Sequence, residues 1–165
     1  MADKSTFTPD EWKVLLESVM AASLAVTAAE PSGLLGMLKE SFASGRMLAE
    51  AKLDSASNPL VKAVVDDLAT SEGRNLASDG LRAQMTGKSP ADIKTASLAI
   101  LGKADSILAA KAPADAPAFK TWLHQLSQKV AEAASEGGFL GMGGVTVSDA
   151  EKATLGEISS ALKLA

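Results

Sequence analysis

His124 is the single histidine of the chain, and metal or acid–base chemistry would have to start there. A di-metal carboxylate centre in a helical bundle needs Glu-x-x-His pairs, which set a carboxylate and an imidazole on one helix face. The residue three before His124 is Thr121, and the other facing positions hold Lys120, Ser127 and Gln128. None of these completes a ligand set, and the His-Glu-x-x-His spacing of zinc proteases is also absent. The spacing describes a polar-face or interface histidine. No Gly-x-Ser-x-Gly motif occurs, and a lone histidine has no third group to orient it as a base for serine. Cysteine is absent, which excludes disulfides, thiolate chemistry and Cys-bound metals.

Three arginines are the candidates for anion recognition: Arg46, Arg74 and Arg82. If residues 74–85 form a continuous helix, Arg74, Ser78 and Arg82 share a face that suits a carboxylate or phosphate. Ion pairing with Glu72 or Asp79 is the simpler use. Asp66-Asp67 with Glu72 offers carboxylates for a cation, but adjacent side chains on a helix diverge by about 100°, so a solvated acidic face is expected. The Gly-rich stretch at 137–144 invites comparison with a phosphate-binding loop. That loop needs a preceding strand and a βαβ unit, or a Gly-Lys-Ser/Thr that does not occur here. Phe139, Leu140 and Met142 sit among the glycines and need burial, so an ordered loop seated between helices is expected. The alternative is a loop covering a small-molecule pocket, with Arg46, Arg74, Arg82, His124, Phe139 and Met142 as its speculative contacts. No catalytic residue, cofactor or metal site is expected.

The elements that must carry these residues are helices. Thr8-Pro9-Asp10-Glu11 is a capping box with Pro at the first helical position, followed at helical spacing by Trp12, Leu15, Leu16, Val19, Met20 and Ser23. From Met20 to Ala29 every face is apolar or small, which predicts a helix buried on several sides, stopped at Glu30-Pro31. A second helix is expected from Ser32 to about Lys52, with Leu35, Leu38, Phe42, Gly45 and Ala49 on one face, then a turn at 54–57. Asn58-Pro59 opens a third, with Leu60, Val61, Val64, Val65 and Leu68 as its stripe; Glu72-Gly73 kinks or ends it. Residues 74–85 are a separate helix or its continuation. Ser89-Pro90-Ala91-Asp92 opens the next, with Ile93, Ser97, Ile100, Leu101, Ala104, Ile107, Leu108 and Lys111 at helical spacing. After the linker between Pro113 and Pro117, Asp115 is placed to cap a helix bearing Phe119, Trp122, Leu123, Leu126, Val130 and Ala133, which ends at Gly137-Gly138. Ser148-Asp149-Ala150-Glu151 is a second capping box, leading to Leu155, Ile158 and Leu162.

The expected fold is all-α: one compact, bundle-like domain over residues 1–165, with six helices or seven and a flexible N-terminus at 1–7. Gly33-Leu34-Leu35-Gly36-Met37 resembles Gly138-Phe139-Leu140-Gly141-Met142. Each segment follows an Ala pair and a helix bearing a Trp, so an internal helix duplication is one explanation and coincidence in an Ala-, Gly- and Leu-rich chain the other.

Composition agrees. Apolar residues make up 47% and charged residues 22%, Tyr is absent, and aromatics reach only 4%. Such a chain favours helices over strands and builds its core from thin side chains. Net charge is −4 and no basic stripe is visible, so neither nucleic acid nor an anionic membrane is the expected partner. The uncharged stretch at 18–29 is too short to cross a bilayer, and no signal peptide is legible, so the cytoplasm is the expected location.

Three segments carry a resemblance: Phe-Thr-Pro-Asp-Glu-Trp at 7–12, Ala-Glu-Pro-Ser-Gly-Leu-Leu-Gly-Met-Leu-Lys-Glu at 29–40, and Glu-Gly-Gly-Phe-Leu-Gly-Met-Gly-Gly-Val-Thr-Val-Ser-Asp-Ala-Glu-Lys at 136–152. Over nearly its whole length the chain resembles a family of small, uncharacterised, all-helical bacterial proteins. That resemblance implies a bacterial source and brings no activity or site. A more distant similarity is to tellurite-resistance-type helical domains, which are associated with clustered acidic metal ligands; here Asp10, Glu11, Asp149 and Glu151 stand near helix starts, where capping explains them. The resulting expectation is a non-catalytic binding or interaction domain. A homo-oligomer would fit, because the apolar first helix demands cover on several sides. A small-molecule carrier or enzyme with its pocket beneath the 137–147 loop is the second reading, and peripheral membrane attachment a weaker third.

Overall fold

The first helix owes its sharp start to local chemistry. In the computed structural model, which describes residues 2–29, 45–46, 48–50, 58–135 and 147–164, helix α1 spans Pro9–Thr27. The Thr8 hydroxyl accepts the Glu11 N–H at 3.3 Å, and Glu11 Oε2 accepts the Thr8 N–H at 2.8 Å. Phe7 then packs on Trp12 with ring centroids 5.8 Å apart. These residues occupy the positions of a hydrophobic staple, which fixes how the chain enters the helix. The segment expected to be a flexible arm is thereby held: Ala2 and Phe7 are buried, and Lys4–Thr6 form a 3-10 turn capped by Asp3.

Five further helices have both ends among the described residues: α2 (Pro59–Ala69), α3 (Ser71–Met85), α4 (Pro90–Lys111), α5 (Ala116–Ser135) and α6 (Asp149–Ala161). The described residues contain no strand, and the fold is a compact all-α bundle. Helix α1 is its hub. It packs most extensively on α4, then on α5 and α3, and it also touches α2 and α6. Residues 15–19 are all buried, and five successive residues exceed one helical turn of 3.6. At that level no side of α1 faces water. Further along, Ala21, Ala22 and Ala25 are fully buried. Their small side chains allow close approach, and the Ser127 hydroxyl of α5 donates across the gap to the Ala22 carbonyl at 3.1 Å. At residues 15–19 the cover that α1 demands comes from its own chain.

The surrounding helices show the expected stripes. Leu60, Val61, Val64, Val65 and Leu68 of α2 are buried, as are Ile100, Leu101, Ala104 and Leu108 of α4 and Phe119, Trp122, Leu123, Leu126 and Val130 of α5. Lys111 departs from its stripe: it is exposed and approaches Glu11 at 3.8 Å. Residues 74–85 belong to a helix of their own, and the break comes earlier than Glu72-Gly73. Thr70 adopts extended backbone and its hydroxyl accepts the Gly73 N–H at 3.0 Å, so Thr70 is the boundary. Gly73 is the residue that lets α3 turn tightly against α2, since a Cβ there would run into the Asp67 carbonyl. The last helix ends in a Schellman turn, with Leu164 N–H on Ser159 O, Lys163 N–H on Ser160 O, and Lys163 in the left-handed region at φ 48°.

Gly45, Arg46 and residues 48–50 are helical, and Leu48 packs partly against the core. The rest of the helix expected at 32–52, the stops at Glu30-Pro31 and Gly137-Gly138, the turn at 54–57 and both copies of the Gly-x-Leu-Gly-Met repeat lie outside the described residues.

The hub predicts a steep contrast between two leucines. Leu15 is fully buried in α1 and Leu76 is 39% exposed on α3. Leu15→Ala is expected to lower unfolding free energy by about 2–5 kcal/mol, and Leu76→Ala by less than about 0.5 kcal/mol, measured by urea denaturation. Comparable losses at both positions would contradict the hub.

Candidate functional site

The acids buried inside this bundle fall into two kinds, those tied to a partner and one left largely without. Asp105 on α4 is 2% exposed and lies between two lysines from elsewhere in the chain. Lys120 Nζ of α5 donates to Oδ1 at 2.9 Å, and Lys163 Nζ, just past α6, stands 2.8 Å from Oδ2. Burial works against ionisation of Asp105, but the two ammonium groups outweigh it and hold its pKa below the ordinary value.

Asp115 was expected to cap α5 with its side chain. Its carboxylate does something else: Oδ2 accepts the Ala2 N–H at 2.8 Å and Oδ1 the Asn58 Nδ2 at 2.9 Å. These two donors, the Ala2 amide foremost, lower its pKa against the effect of burial. Asn58 meanwhile caps α2 through Oδ1, which accepts the Leu60 N–H at 2.9 Å. One carboxylate therefore ties the N-terminal segment, the start of α2 and the start of α5.

Asp67 corrects a second expectation. It is part of no solvated acidic face, because its side chain is only 16% exposed and Oδ2 accepts both the Trp12 Nε1–H at 2.6 Å and Lys4 Nζ at 3.0 Å. Burial would raise its pKa; the Trp12 and Lys4 contacts prevail and lower it.

Glu17 is the exception. It is 3% exposed in the middle of α1, facing Gly80 of α3. Lys13 Nζ stays 3.8 Å from Oε1, Gln84 Nε2 reaches Oε2 at a long 3.4 Å, and Oε1 has no hydrogen-bond partner among the described residues. Burial is the dominant influence, and the Glu17 pKa is raised despite Lys13, Gln84 and Lys103.

The side chains singled out for ligand binding are not brought together. Arg46 is exposed and pairs with Glu50 at 2.8 Å, one turn along the same helix. Arg74 pairs with neither Glu72 nor Asp79; its guanidinium donates to the Ala69 carbonyl at 2.7 Å and the Leu68 carbonyl at 3.3 Å. It satisfies the end of α2, where cations are favoured. Arg82 is exposed in the last turn of α3, and His124 is half-buried on α5. Among the described residues no hydrogen bond or ion pair joins any two of these four. Phe139 and Met142 lie outside the described residues. Of the acids that a tellurite-resistance-type likeness would recruit, Glu11 and Glu151 accept the N–H groups of Thr8 and Ser148, both at 2.8 Å. No group of three or more metal-binding side chains forms among the described residues.

No protein-family model matches the chain, and no curated protein or solved structure is significantly similar to it.

The tied aspartates set the acid limb of stability. A carboxylate whose folded pKa is depressed stabilises the fold above its unfolded pKa, and that contribution is lost as pH falls through the folded value. For Asp67, Asp105 and Asp115 the loss comes below their ordinary 3.8. Lys120→Met should cost about 1–3 kcal/mol at neutral pH, and the deficit should shrink in that acid range as Asp105 becomes neutral. Urea midpoints followed against pH will check this; a variant as stable as the parent at neutral pH would contradict it.

Proposed function

We propose that this chain is a non-catalytic binding or protein-interaction domain, bacterial in origin and acting in the cytoplasm. The observation that carries the reading is the use to which its buried acids are put. Asp105, Asp115 and Asp67 each close a contact between segments far apart in sequence, and none of them faces another across an opening where a substrate would sit. Such ties hold a rigid scaffold, and a rigid scaffold serves recognition by lowering what must be ordered on binding. Leu76 is the only large apolar side chain that is exposed among the described residues, so this part of the surface offers a partner polar and charged contacts. The partner proposed is a protein chain, either a second copy or a different one. The bacterial source is proposed from the sequence resemblance alone, and the partner's identity is left to experiment.

Native mass measurement of the protein isolated from its own cells tests the reading. A complex heavier than the 16.8 kDa chain by the mass of a whole protein, dissociating as salt is raised, is the expected result. A bare chain carrying a small-molecule adduct would overturn it in favour of a carrier or enzyme with a pocket beneath the 137–147 loop.

A further inference from the structure

Glu17 does nothing for the fold that a neutral side chain would not do better. A carboxylate taken out of water needs close hydrogen bonds or an ion pair in contact, and here it has one long hydrogen bond and an ammonium at 3.8 Å. The place it occupies is nonetheless built around it. Gly80 of α3 is buried, and a Cβ there would strike the Glu17 carboxyl and come within 2.6 Å of Lys13 Cε. Four residues on, Gln84 divides its amide between Glu17 Oε2 and the Gly80 carbonyl at 3.2 Å. Helix α3 thus presents a bare stretch of backbone and one amide to the acid, and carries no charge to it. The charged groups that reach Glu17 are Lys13 on its own helix and Lys103 on α4, and both side chains extend toward solvent.

We propose that Glu17 is a proton-operated latch on the seam between α1 and α3: the neutral acid lets α3 seat against α1 at Gly80, and ionisation loosens that seat. The closed seam holds the acid dry, whereas an opened seam returns it to water and to ordinary glutamate behaviour. Closure therefore takes up a proton. Its contribution is complete below the ordinary value of 4.5 and is lost as pH rises through the higher value of the closed form. This is opposite in sign to the three tied aspartates, whose support fails in acid. The fold is tightened at α3 by mild acid and relaxed there toward alkaline pH, which makes the α3 face a region whose exposure follows pH.

Carbon-detected NMR titration of the side-chain carboxyls, on the intact wild-type chain, reads the latch directly. Glu17 should titrate above 4.5; titration at or below that value would overturn the proposal. Amide hydrogen exchange, corrected for its intrinsic pH dependence, reads the seam. The opening constant of α3 amides should rise about tenfold for each unit by which the Glu17 midpoint is raised, as pH climbs above the ordinary 4.5 and through that midpoint, and E17Q should show no such rise. An equal rise in E17Q would also overturn it. Should E17Q fail to fold, G80A serves instead: its added methyl pushes the carboxyl toward solvent and should return the Glu17 midpoint toward 4.5, and an unmoved midpoint counts against the latch.

Discussion

Burial of α1 on every side at residues 15–19 is the constraint from which the rest of this structure follows. A helix with no solvent-facing side at residues 15–19 cannot be amphipathic there, and its neighbours must close around it. Thin side chains make that closure tight: Ala21, Ala22 and Ala25 are fully buried, and Ser127 of α5 reaches the Ala22 carbonyl of α1 directly. Interiors packed at crystal-like density tolerate few voids, so an Ala-rich hub commits the surrounding helices to their positions. The same enclosure explains Glu17. A carboxylate placed on a helix without an outer face has nowhere wet to go.

Around this hub, polar ties do what the apolar core cannot. Hydrophobic contact is non-directional and would accept small slips of one helix along another. Asp105 joins α4, α5 and the chain beyond α6, Asp115 joins the N-terminal segment to α2 and α5, and Asp67 joins α2 to Trp12 and Lys4. Asp67 and Asp115 each accept from two donors, and Asp105 accepts from Lys120 and is ion-paired with Lys163, so that no charge among the three is buried without a partner. Their energetic value is modest after desolvation, and their effect is to fix register between elements.

What was legible in the sequence was local. The capping boxes at Thr8 and Ser148, the Asn58-Pro59 and Ser89-Pro90 starts, and the stripes of α2, α4 and α5 all depend on residues within a few positions of one another. The run from Met20 to Ala29, expected to be buried on several sides, keeps a half-buried face at Met20, Ser23, Leu24 and Thr27, and the fully enclosed level lies just before it, at residues 15–19. The Thr70 boundary was missed because Glu72-Gly73 looked like the stronger breaker, whereas Gly73 serves a close approach to Asp67 within the first turn of α3. The ties of Asp67, Asp105 and Asp115 were illegible because their partners lie many residues away. A signal did exist for two acids: Asp105 falls inside the Leu101–Ala104–Leu108 stripe, and Glu17 follows the Leu15–Leu16 pair and precedes Val19 and Met20 on the apolar helix. A charge at an apolar position marks a buried acid, although spacing cannot say which cation meets it. The arginines misled for the opposite reason, since their reach makes several partners sterically equivalent, and Arg74 chose backbone carbonyls.

Native-state amide exchange of α1 tests the central claim most directly. If α1 is enclosed by α2 to α6, the amides of residues 15–26 become exposed only when the whole fold opens, so their opening free energy equals that of global unfolding by urea and exceeds that of α6. Exchange of these amides through a local opening, at a free energy well below the global value, would show that α1 has a free side and that the bundle is not built around it.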